Sequence, residues 1–331
     1  MRVRLIGKSN GLGLSRDLEL LGGAMQSAGC EVTRQPCDRR ERRRRRSWLT
    51  GIHARLRRPN AQQVRFDVNV MLEHVWPQFL HEARCNVLVP NPEWFERRES
   101  AMLSRIDRVW SKTALTHRLF ASRGCAVSNI GFDSEDRLVS EVVREARFLH
   151  VGGRSELKGT HRLLELWRQH PEWPPLTVIR DTAAMRKNAD PASPNVTVLR
   201  EFVDDQTLRT LQNSHRFHVC LSEAEGWGHY IVEALGVGAV TLTCDAAPMN
   251  ELVTAERGLL VQVVAGRRHR LVELAHFEPQ ALGAVIHRCA AMPEDELQGI
   301  GARARDWFVH NKQQFPVRVH RALAELEYRP A

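Results

Sequence analysis

Residues 222–234 read Ser-Glu-Ala-Glu-Gly-Trp-Gly-His-Tyr-Ile-Val-Glu-Ala and carry the strongest structural signal in this chain. The apolar residues Val219–Leu221 in front of them predict a buried strand, and the apolar spacing behind Gly228 predicts a helix. Gly226 and Gly228 permit the backbone to approach a ligand closely. Because the first N–H groups of a helix lack partners and its N-terminal end is positive, we expect this turn to bind a diphosphate.

Two carboxylates accompany this turn. Glu225 lies in the loop and can face a sugar, whereas Glu233 lies two helical turns later, on a similar face. A carboxylate there can accept hydrogen bonds from a pair of ribose hydroxyls. A bare pair of glutamates at this spacing is more often an exposed loop followed by a surface glutamate. The strand, the two glycines and the apolar helix around the pair favour the functional interpretation.

The alternation of strand and helix continues outward from this segment. In the first half we predict strands at residues 3–6, 30–33, 66–72, 86–90, 108–111 and 126–130. In the second half we predict strands at residues 148–151, 176–180, 196–199, 219–221 and 240–244. Strands that alternate with helices form parallel βαβ units. We therefore predict an α/β protein with two Rossmann-like, doubly wound parallel sheets.

The length of 331 residues suits two domains of about 150 residues each. The pattern restarts after the first half, so we place an N-terminal domain at 1–140 and a C-terminal domain at 141–310. Residues 311–331 should form a helix that packs back toward the N-terminal domain, and we expect Pro293 and Pro316 to break the helical tail. Since no low-complexity linker separates the halves, we expect a cleft between them, bordered by strand ends.

Three segments resemble the glycosyltransferase group 1 family. Residues 222–234 are similar to the family's small residue, Glu-Gly-Phe-Gly and a helix ending in Glu-Ala, with Trp227 in place of the usual Phe. Residues 151–159, Val-Gly-Gly-Arg-Ser-Glu-Leu-Lys-Gly, resemble the family's loop with a basic pair. Residues 248–253, Pro-Met-Asn-Glu-Leu-Val, look like the segment before the family's second helix near the diphosphate.

The resemblance implies the GT-B fold and a retaining sugar transfer from a nucleotide-sugar donor. It implies Glu225 as the catalytic residue that orients the sugar. The donor-binding residues that it implies are Arg154, Lys158, Gly226, Trp227, Gly228, Glu233 and Glu251. No Asp-x-Asp follows a strand. We therefore expect side-chain cations and the helix terminus, rather than a metal ion, to neutralise the diphosphate, and no cofactor besides the donor.

The N-terminal half resembles the family less closely. The strand that ends at His74 resembles a family strand ending in histidine, which makes His74 a second catalytic candidate; a polar core or rim histidine is the alternative. Asn91 stands where relatives often have a histidine. Gly11 and Gly13 stand where relatives pass the acceptor or donor phosphate, although a tight turn between strand and helix explains them equally well.

The net charge of +9 comes mostly from one stretch, Arg39–Arg58, in which ten arginines face one acidic residue, with a second just before it. Trp48, Ile52 and Leu56 recur every four residues, which predicts a basic amphipathic helix. Such a helix suits an anionic membrane surface, and the same charge would attract a lipid-linked, glycan or protein acceptor. A solvated loop is the open alternative.

Two other functions remain open. A phosphorylase or a sugar-nucleotide epimerase could share the fold, and product analysis would separate them. The second is an inactive GT-B scaffold that binds nucleic acid or another anionic polymer through its arginines. No nucleic-acid motif is present, and the donor-site residues favour the enzyme.

The number and spacing of the cysteines indicate the redox environment of the protein. There are seven, they are scattered, and no Cys-x-x-Cys occurs, which favours reduced thiols and no zinc site. No apolar run reaches the ~18 residues of a membrane span, and no signal-peptide pattern opens the chain. We expect a cytoplasmic protein, with peripheral attachment to the inner face of the membrane as an open addition.

Overall fold

The computed structural model describes residues 1–8, 13–38, 64–180, 193–200 and 203–327, together with residues 40, 41, 43, 47, 49 and 52. Gly11 and most of Arg39–Arg58, including Trp48 and Leu56, lie outside the described residues. The chain divides into two compact units. Unit 1 comprises Met1–Ser134, His269–Val272 and Asn311–Ala331, and unit 2 comprises Glu135–Arg268 and Glu273–His310.

Unit 1 is built on a six-stranded parallel sheet with the strand order β2-β1-β3-β4-β5-β6. Its strands are β1 (Arg2–Gly7), β2 (Glu31–Pro36), β3 (Phe66–Glu73), β4 (Ala83–Pro90), β5 (Arg108–Ser111) and β6 (Val127–Asn129). Its helices include α1 (Gly13–Ser27) and α2 (Ala114–Ala121), with 3-10 turns at Pro77–Phe79 and Arg97–Arg105. The central strands β1, β3 and β4 are buried over most of their length because both faces of a parallel sheet are covered.

Unit 2 carries a second six-stranded parallel sheet, with the order β12-β11-β10-β7-β8-β9. Its strands are β7 (Glu145–Gly153), β8 (Leu176–Arg180), β9 (Val196–Leu199), β10 (His215–Cys220), β11 (Val240–Cys244) and β12 (Leu259–Val261). The helices that follow α2 in the chain are α3 (Thr160–Gln169), α4 (Asp205–Ser214), α5 (His229–Gly236), α6 (Met249–Leu252), α7 (Pro279–Ala291) and α8 (Glu294–Glu327). Phe148 stacks on Phe217 between neighbouring strands, at 4.6 Å between ring centroids.

Two features differ from the sequence-based expectation. The strands β13 (Val263–His269) and β14 (Val272–Phe277) form a separate two-stranded sheet that the sequence pattern missed, because β13 is mostly exposed and carries no apolar periodicity. The expectation that Pro316 ends a helix was wrong, since α8 runs through it. Proline costs a helix about 3 kcal/mol, and the neighbouring Phe315 and Val319, 1% and 0% exposed, hold the helix by burial.

No helix in the described part of the chain is long and apolar enough to cross a membrane. All seven cysteines lie in that part, and each is a free thiol.

Candidate functional site

The loops that follow β7 and β10 touch at the edge of the unit 2 sheet where the strands end, its carboxyl edge. The N–H of Glu223 donates to the carbonyl of Leu157 at 2.7 Å. Gly159 has a φ of +66°, and a Cβ placed on it would lie 2.6 Å from the carbonyl oxygen of Leu221. Only glycine permits this backbone conformation together with so close an approach. The loop that carries Lys158 is therefore seated directly against the segment that leads to Glu225.

Lys158 is held in a defined position. Its Nζ donates to the carbonyl of Val151 at 3.1 Å and lies 3.7 Å from the centroid of the Tyr230 ring. A cation over an aromatic face is attracted by the ring's quadrupole. Tyr230 is in the first turn of α5, so the ammonium group is fixed beside the positive end of that helix. Arg154 lies exposed on the turn after β7.

The Glu225 carboxylate is oriented by two buried hydroxyls. Ser222 Oγ donates to Glu225 Oε1 at 2.6 Å, and Ser222 Oγ also lies 2.6 Å from the phenol oxygen of Tyr230. Burial raises the pKa of Tyr230 well above its ordinary value, so the phenol keeps its proton. Because the Ser222 hydroxyl donates its single proton to Glu225, the Tyr230 hydroxyl must donate to Ser222. The result is a directed chain of hydrogen bonds from Tyr230 to Glu225.

Roles for Ser222 and Tyr230 were not predicted from the sequence. The available signal was their position, one hydroxyl at the end of β10 and the other at the start of α5. Whether their side chains meet depends on the path of the intervening loop, and no local pattern encodes that path.

The glycine turn itself is tight. Gly228 precedes α5 with a φ of +85°, and its carbonyl accepts from the N–H groups of Ile231 and Val232 at 2.9 and 3.2 Å. Trp227 is buried, at 5% exposure. The N–H groups that begin α5 lie at this turn, at the positive end of the helix.

Glu233 is in the interior and not on the helix surface. It is 3% exposed, and its Oε2 accepts from Gln212 Nε2 at 2.9 Å and lies 4.0 Å from Arg137 Nε. Arg137 is fully buried and also bonds Asp205 Oδ1 at 2.8 Å. Burial acts to lower the pKa of Arg137, but the Glu233 charge and the other neighbouring carboxylates raise it above its ordinary value. Glu233 thus belongs to a buried network of charges.

Glu251 lies in the short helix α6 and is half-buried. The guanidinium of Arg257 donates to the main-chain carbonyls of Glu251 and Leu252, at 3.1 and 2.7 Å. These bonds fix the backbone at the end of α6. Contact between the Glu251 carboxylate and a donor stays a prediction.

In unit 1, His74 lies in a cluster of charges at the carboxyl edge of the sheet. Its Nδ1 is 3.1 Å from Glu99 Oε2, and its Nε2 is 3.1 Å from Glu73 Oε2 and 3.0 Å from Lys8 Nζ. Lys8 Nζ also donates to Glu73 Oε2 at 2.6 Å. His74 is only 4% exposed.

The cluster shifts both titrating groups toward their charged forms. Burial acts to lower the pKa of His74, but hydrogen bonds and charges from Glu73 and Glu99 raise it above its ordinary value. Burial likewise acts to raise the pKa of Glu73, but His74 and Lys8 lower it to about 2. Glu73 has a left-handed φ of +64°, a strained conformation for a residue other than glycine. Glu73 and Glu99 therefore both orient the His74 imidazole and favour its protonated form.

Asn91 is engaged by buried charges further along the same edge. Its Oδ1 accepts from Lys112 Nζ at 3.2 Å, and that ammonium also donates to Asp17 Oδ2 at 2.6 Å. Lys112 and Asp17 are each 3% exposed. Gly13 is the first residue of α1. The sequence did not predict Lys8, Glu99, Lys112 or Asp17, whose partners are distant in the chain.

Within the described ranges, no group of three or more His, Cys, Asp or Glu side chains could hold a metal ion.

The comparisons with known proteins bear on the fold. No family model matches this chain, and no curated protein matches it. Among solved structures, an E. coli trehalose-6-phosphate synthase bound with UDP-2-fluoro glucose matches at a TM-score of 0.69 and 11% identity, covering 100% of both chains. Sucrose-phosphate synthase from Thermosynechococcus elongatus matches at 0.68 and 14%, and Anabaena HepE in complex with UDP and glucose at 0.63 and 17%, each covering 98% of both chains.

The chain has the GT-B fold. This confirms the predicted pair of doubly wound parallel sheets. The chain spans only 60% of the pneumococcal O-GlcNAc transferase GtfA and 55% of TarM, both at 12% identity. Identities this low establish the GT-B fold alone, so membership of the glycosyltransferase group 1 family stays a prediction.

Proposed function

We propose that this GT-B chain is a glycosyltransferase that moves a sugar from a nucleotide-sugar donor to an acceptor. The observation that carries the proposal is the arrangement of Lys158, Tyr230, Ser222 and Glu225 in unit 2. It combines a fixed cation, a helix N-terminus and an oriented carboxylate within two touching loops. Two of the GT-B neighbours, HepE and the E. coli synthase, hold UDP with glucose and UDP-2-fluoro glucose, which supports a nucleotide sugar as the donor.

In this proposal the donor diphosphate binds at the start of α5. Lys158 and the first N–H groups of α5 supply positive charge that needs no rearrangement when the diphosphate leaves. Arg154 adds a second cation from the exposed turn after β7. Because these groups can neutralise the leaving group, we propose that transfer requires no metal ion.

Glu225 contacts the sugar. The hydrogen-bond chain from Tyr230 through Ser222 holds its carboxylate in one orientation, so one oxygen is occupied and the other can accept from sugar hydroxyls or support charge at the anomeric carbon. Glu233 accepts the ribose hydroxyls, since a carboxylate has more acceptor sites than its bond to Gln212 fills. We propose a retaining outcome, which NMR of the product anomer would test.

Unit 1 contributes His74. Glu73 and Glu99 raise the pKa of His74, so its imidazolium form persists to higher pH, and its proposed role is to place positive charge near the reacting sugars rather than to act as a base. Asn91 and Gly13 are proposed on the acceptor side.

The acceptor is proposed to be a glycan, a lipid-linked sugar or a protein, recruited with help from the ten arginines of Arg39–Arg58. A polybasic segment gains about 1 kcal/mol per basic residue near an anionic membrane surface. We therefore propose a cytoplasmic protein that attaches to the inner face of the membrane. Sedimentation with anionic and with neutral vesicles tests this, and equal binding to both would contradict it.

The first experiment is a thermal-shift screen with UDP-, GDP-, ADP- and dTDP-sugars, with and without EDTA. A ligand at about 100 times its Kd stabilises the folded state by about 2.7 kcal/mol. We expect one nucleotide to stabilise the protein in EDTA and the Lys158→Ala variant to lose the effect. The absence of any shift would instead favour a scaffold that binds an anionic polymer through its arginines.

The second experiment tests the role of Glu225. We expect Glu225→Gln to abolish sugar transfer, followed by mass spectrometry of the products, while nucleotide binding persists. Glu223→Gln is the matched control, because the Glu223 carboxylate pairs with His276 Nδ1 at 2.9 Å and not with Ser222. Strong residual transfer by Glu225→Gln would contradict the assignment.

A further inference from the structure

A cavity lies at the edge of the unit 2 sheet opposite to the candidate donor loops, where the strands begin. Its volume is about 340 Å³, and three arginines and a single carboxylate line it: Arg144, Arg216, Arg305 and Glu294. Arg144 directly precedes β7, and Arg216 is the second residue of β10. Lys158 and Glu225 follow the other ends of these two strands. A strand of six residues spans about 20 Å, so the cavity is separate from the proposed donor site.

Arg144 supplies positive charge to the cavity through a guanidinium that main-chain carbonyls hold in place. Its three nitrogens donate to the main-chain carbonyls of Asn213, Gly238 and Val237. No carboxylate of the described residues forms an ion pair with it, and each terminal nitrogen carries a further N–H. Burial, aided by the charge of Arg216, lowers the pKa of Arg144. The carbonyls at the end of α5 offset this cation only in part, because they carry partial charges.

The other two arginines are paired, but not to the same extent. Arg305 makes a two-pronged contact with Asp136, at 2.6 and 2.7 Å, and donates to the carbonyl of Gly236. Arg216 uses one terminal nitrogen for both oxygens of Glu294, at 2.6 and 2.7 Å. Its Nε and second terminal nitrogen bond no described residue. With Asp136 and Glu294 each cancelling one arginine, the cavity keeps the charge of Arg144.

We propose that this cavity binds a small anion that carries a phosphate group. Guanidinium groups recognise phosphate through paired, charge-assisted hydrogen bonds. The second N–H groups of Arg144 and the unused edge of Arg216 provide such donors, and the cavity volume falls within the range of small-molecule sites. Gly238 and Gly301 line the cavity, and their backbones pack so closely that a Cβ on Gly301 would lie 2.5 Å from the carbonyl oxygen of Gly238.

The proposal predicts opposite effects for the two partners of one ion pair. Arg216→Gln removes a donor and leaves Glu294 to repel an anion, so phosphate affinity should fall about tenfold or more. Glu294→Gln releases Arg216 and removes the repulsion, so affinity should rise several-fold. The probes are inorganic phosphate, pyrophosphate and a hexose 1-phosphate, titrated into the full chain at physiological salt by calorimetry or ³¹P NMR.

Two matched controls locate the binding. Glu296→Gln removes the same charge from the same first turn of α8, yet Glu296 pairs with Arg288 outside the cavity, so affinity should not change. Lys158→Ala should lower the affinity for anions at the donor site and leave the affinity at the cavity unchanged. Binding that responds to Lys158→Ala but not to Arg216→Gln would overturn the proposal, as would the absence of phosphate binding at millimolar concentration. Equal responses to Glu294→Gln and Glu296→Gln would also overturn it, because they would mean general surface charge.

Discussion

Two glycines, one at the end of β7 and one in the loop that follows it, allow the contact between the candidate donor loops to be tested. Gly159 and Gly153 both have positive φ, +66° and +56°, so an alanine at either position meets a penalty for left-handed φ. A Cβ at Gly153 would meet nothing within 4 Å, whereas a Cβ at Gly159 would lie 2.6 Å from the carbonyl oxygen of Leu221. The difference between the two alanine variants therefore measures the contact alone.

The backbone conformation costs an alanine about 1–2 kcal/mol, of which part is offset because alanine restricts the unfolded chain. We therefore expect Gly153→Ala to lower the free energy of unfolding by about 1 kcal/mol. Overpacking adds about 1–3 kcal/mol, so Gly159→Ala should cost about 2–4 kcal/mol. Urea unfolding at constant m-value measures both.

The same pair should separate in ligand binding. Relief of the overlap at Gly159 must move Lys158, its neighbour, away from the segment that leads to Glu225, so nucleotide affinity should fall about tenfold. Gly153→Ala leaves that contact intact and should bind nearly normally. Equal stability losses in the two variants, or a smaller loss at Gly159, would refute the idea that the loops are held by this contact.

Three further predictions concern side chains. Tyr230→Phe keeps the ring under Lys158 but removes the proton donated to Ser222. We expect kcat to fall about tenfold while nucleotide affinity stays nearly unchanged. Tyr328→Phe is the control, and an equal kcat in both variants would contradict a role for the hydrogen-bond chain. Glu99→Gln removes a charge that raises the pKa of His74, so the pH profile of activity should shift to lower pH. Glu96→Gln should not shift it, because the Glu96 carboxylate pairs with Arg98 and the amide oxygen of Gln can still accept from the Glu99 N–H in their capping box. Burial lowers the pKa of His150 from 6.5 to about 4. Between these pH values only the unfolded chain binds a proton at His150, so the free energy of unfolding falls as the pH drops from 6.5 toward 4, by about 2 kcal/mol at pH 5. In His150→Gln this part of the slope should disappear from urea titrations at several pH values, and parallel curves for the two proteins would contradict the assignment.

The sequence pattern located most of the architecture. The turn between β10 and α5 and the strand Arg108–Ser111 lie where the pattern placed them, and α4 begins directly after Asp204. Each is encoded by residues close together in the chain, through apolar spacing, glycine or a capping side chain such as Asp204, which accepts from Thr207 N–H at 2.9 Å. The sequence pattern did not predict the hairpin of β13 and β14, because its first strand has no apolar face.

The partners that orient Glu225 and His74 could not be predicted from local sequence. The sequence singled out Glu225, Lys158 and His74, but not the groups that orient them. Glu99 reaches His74 from 25 residues away, and Lys112 meets Asp17 across 95 residues.

The sequence by itself determined the doubly wound folding pattern and the glycine turn, because periodicity and turn chemistry act between near neighbours. Only the tertiary structure decided that Tyr230 would orient Glu225, that Glu233 would lie inside a buried charge network, and that three arginines would share a cavity. Those outcomes depend on which distant segments are brought together, and buried polar groups then take the partners that packing places within reach.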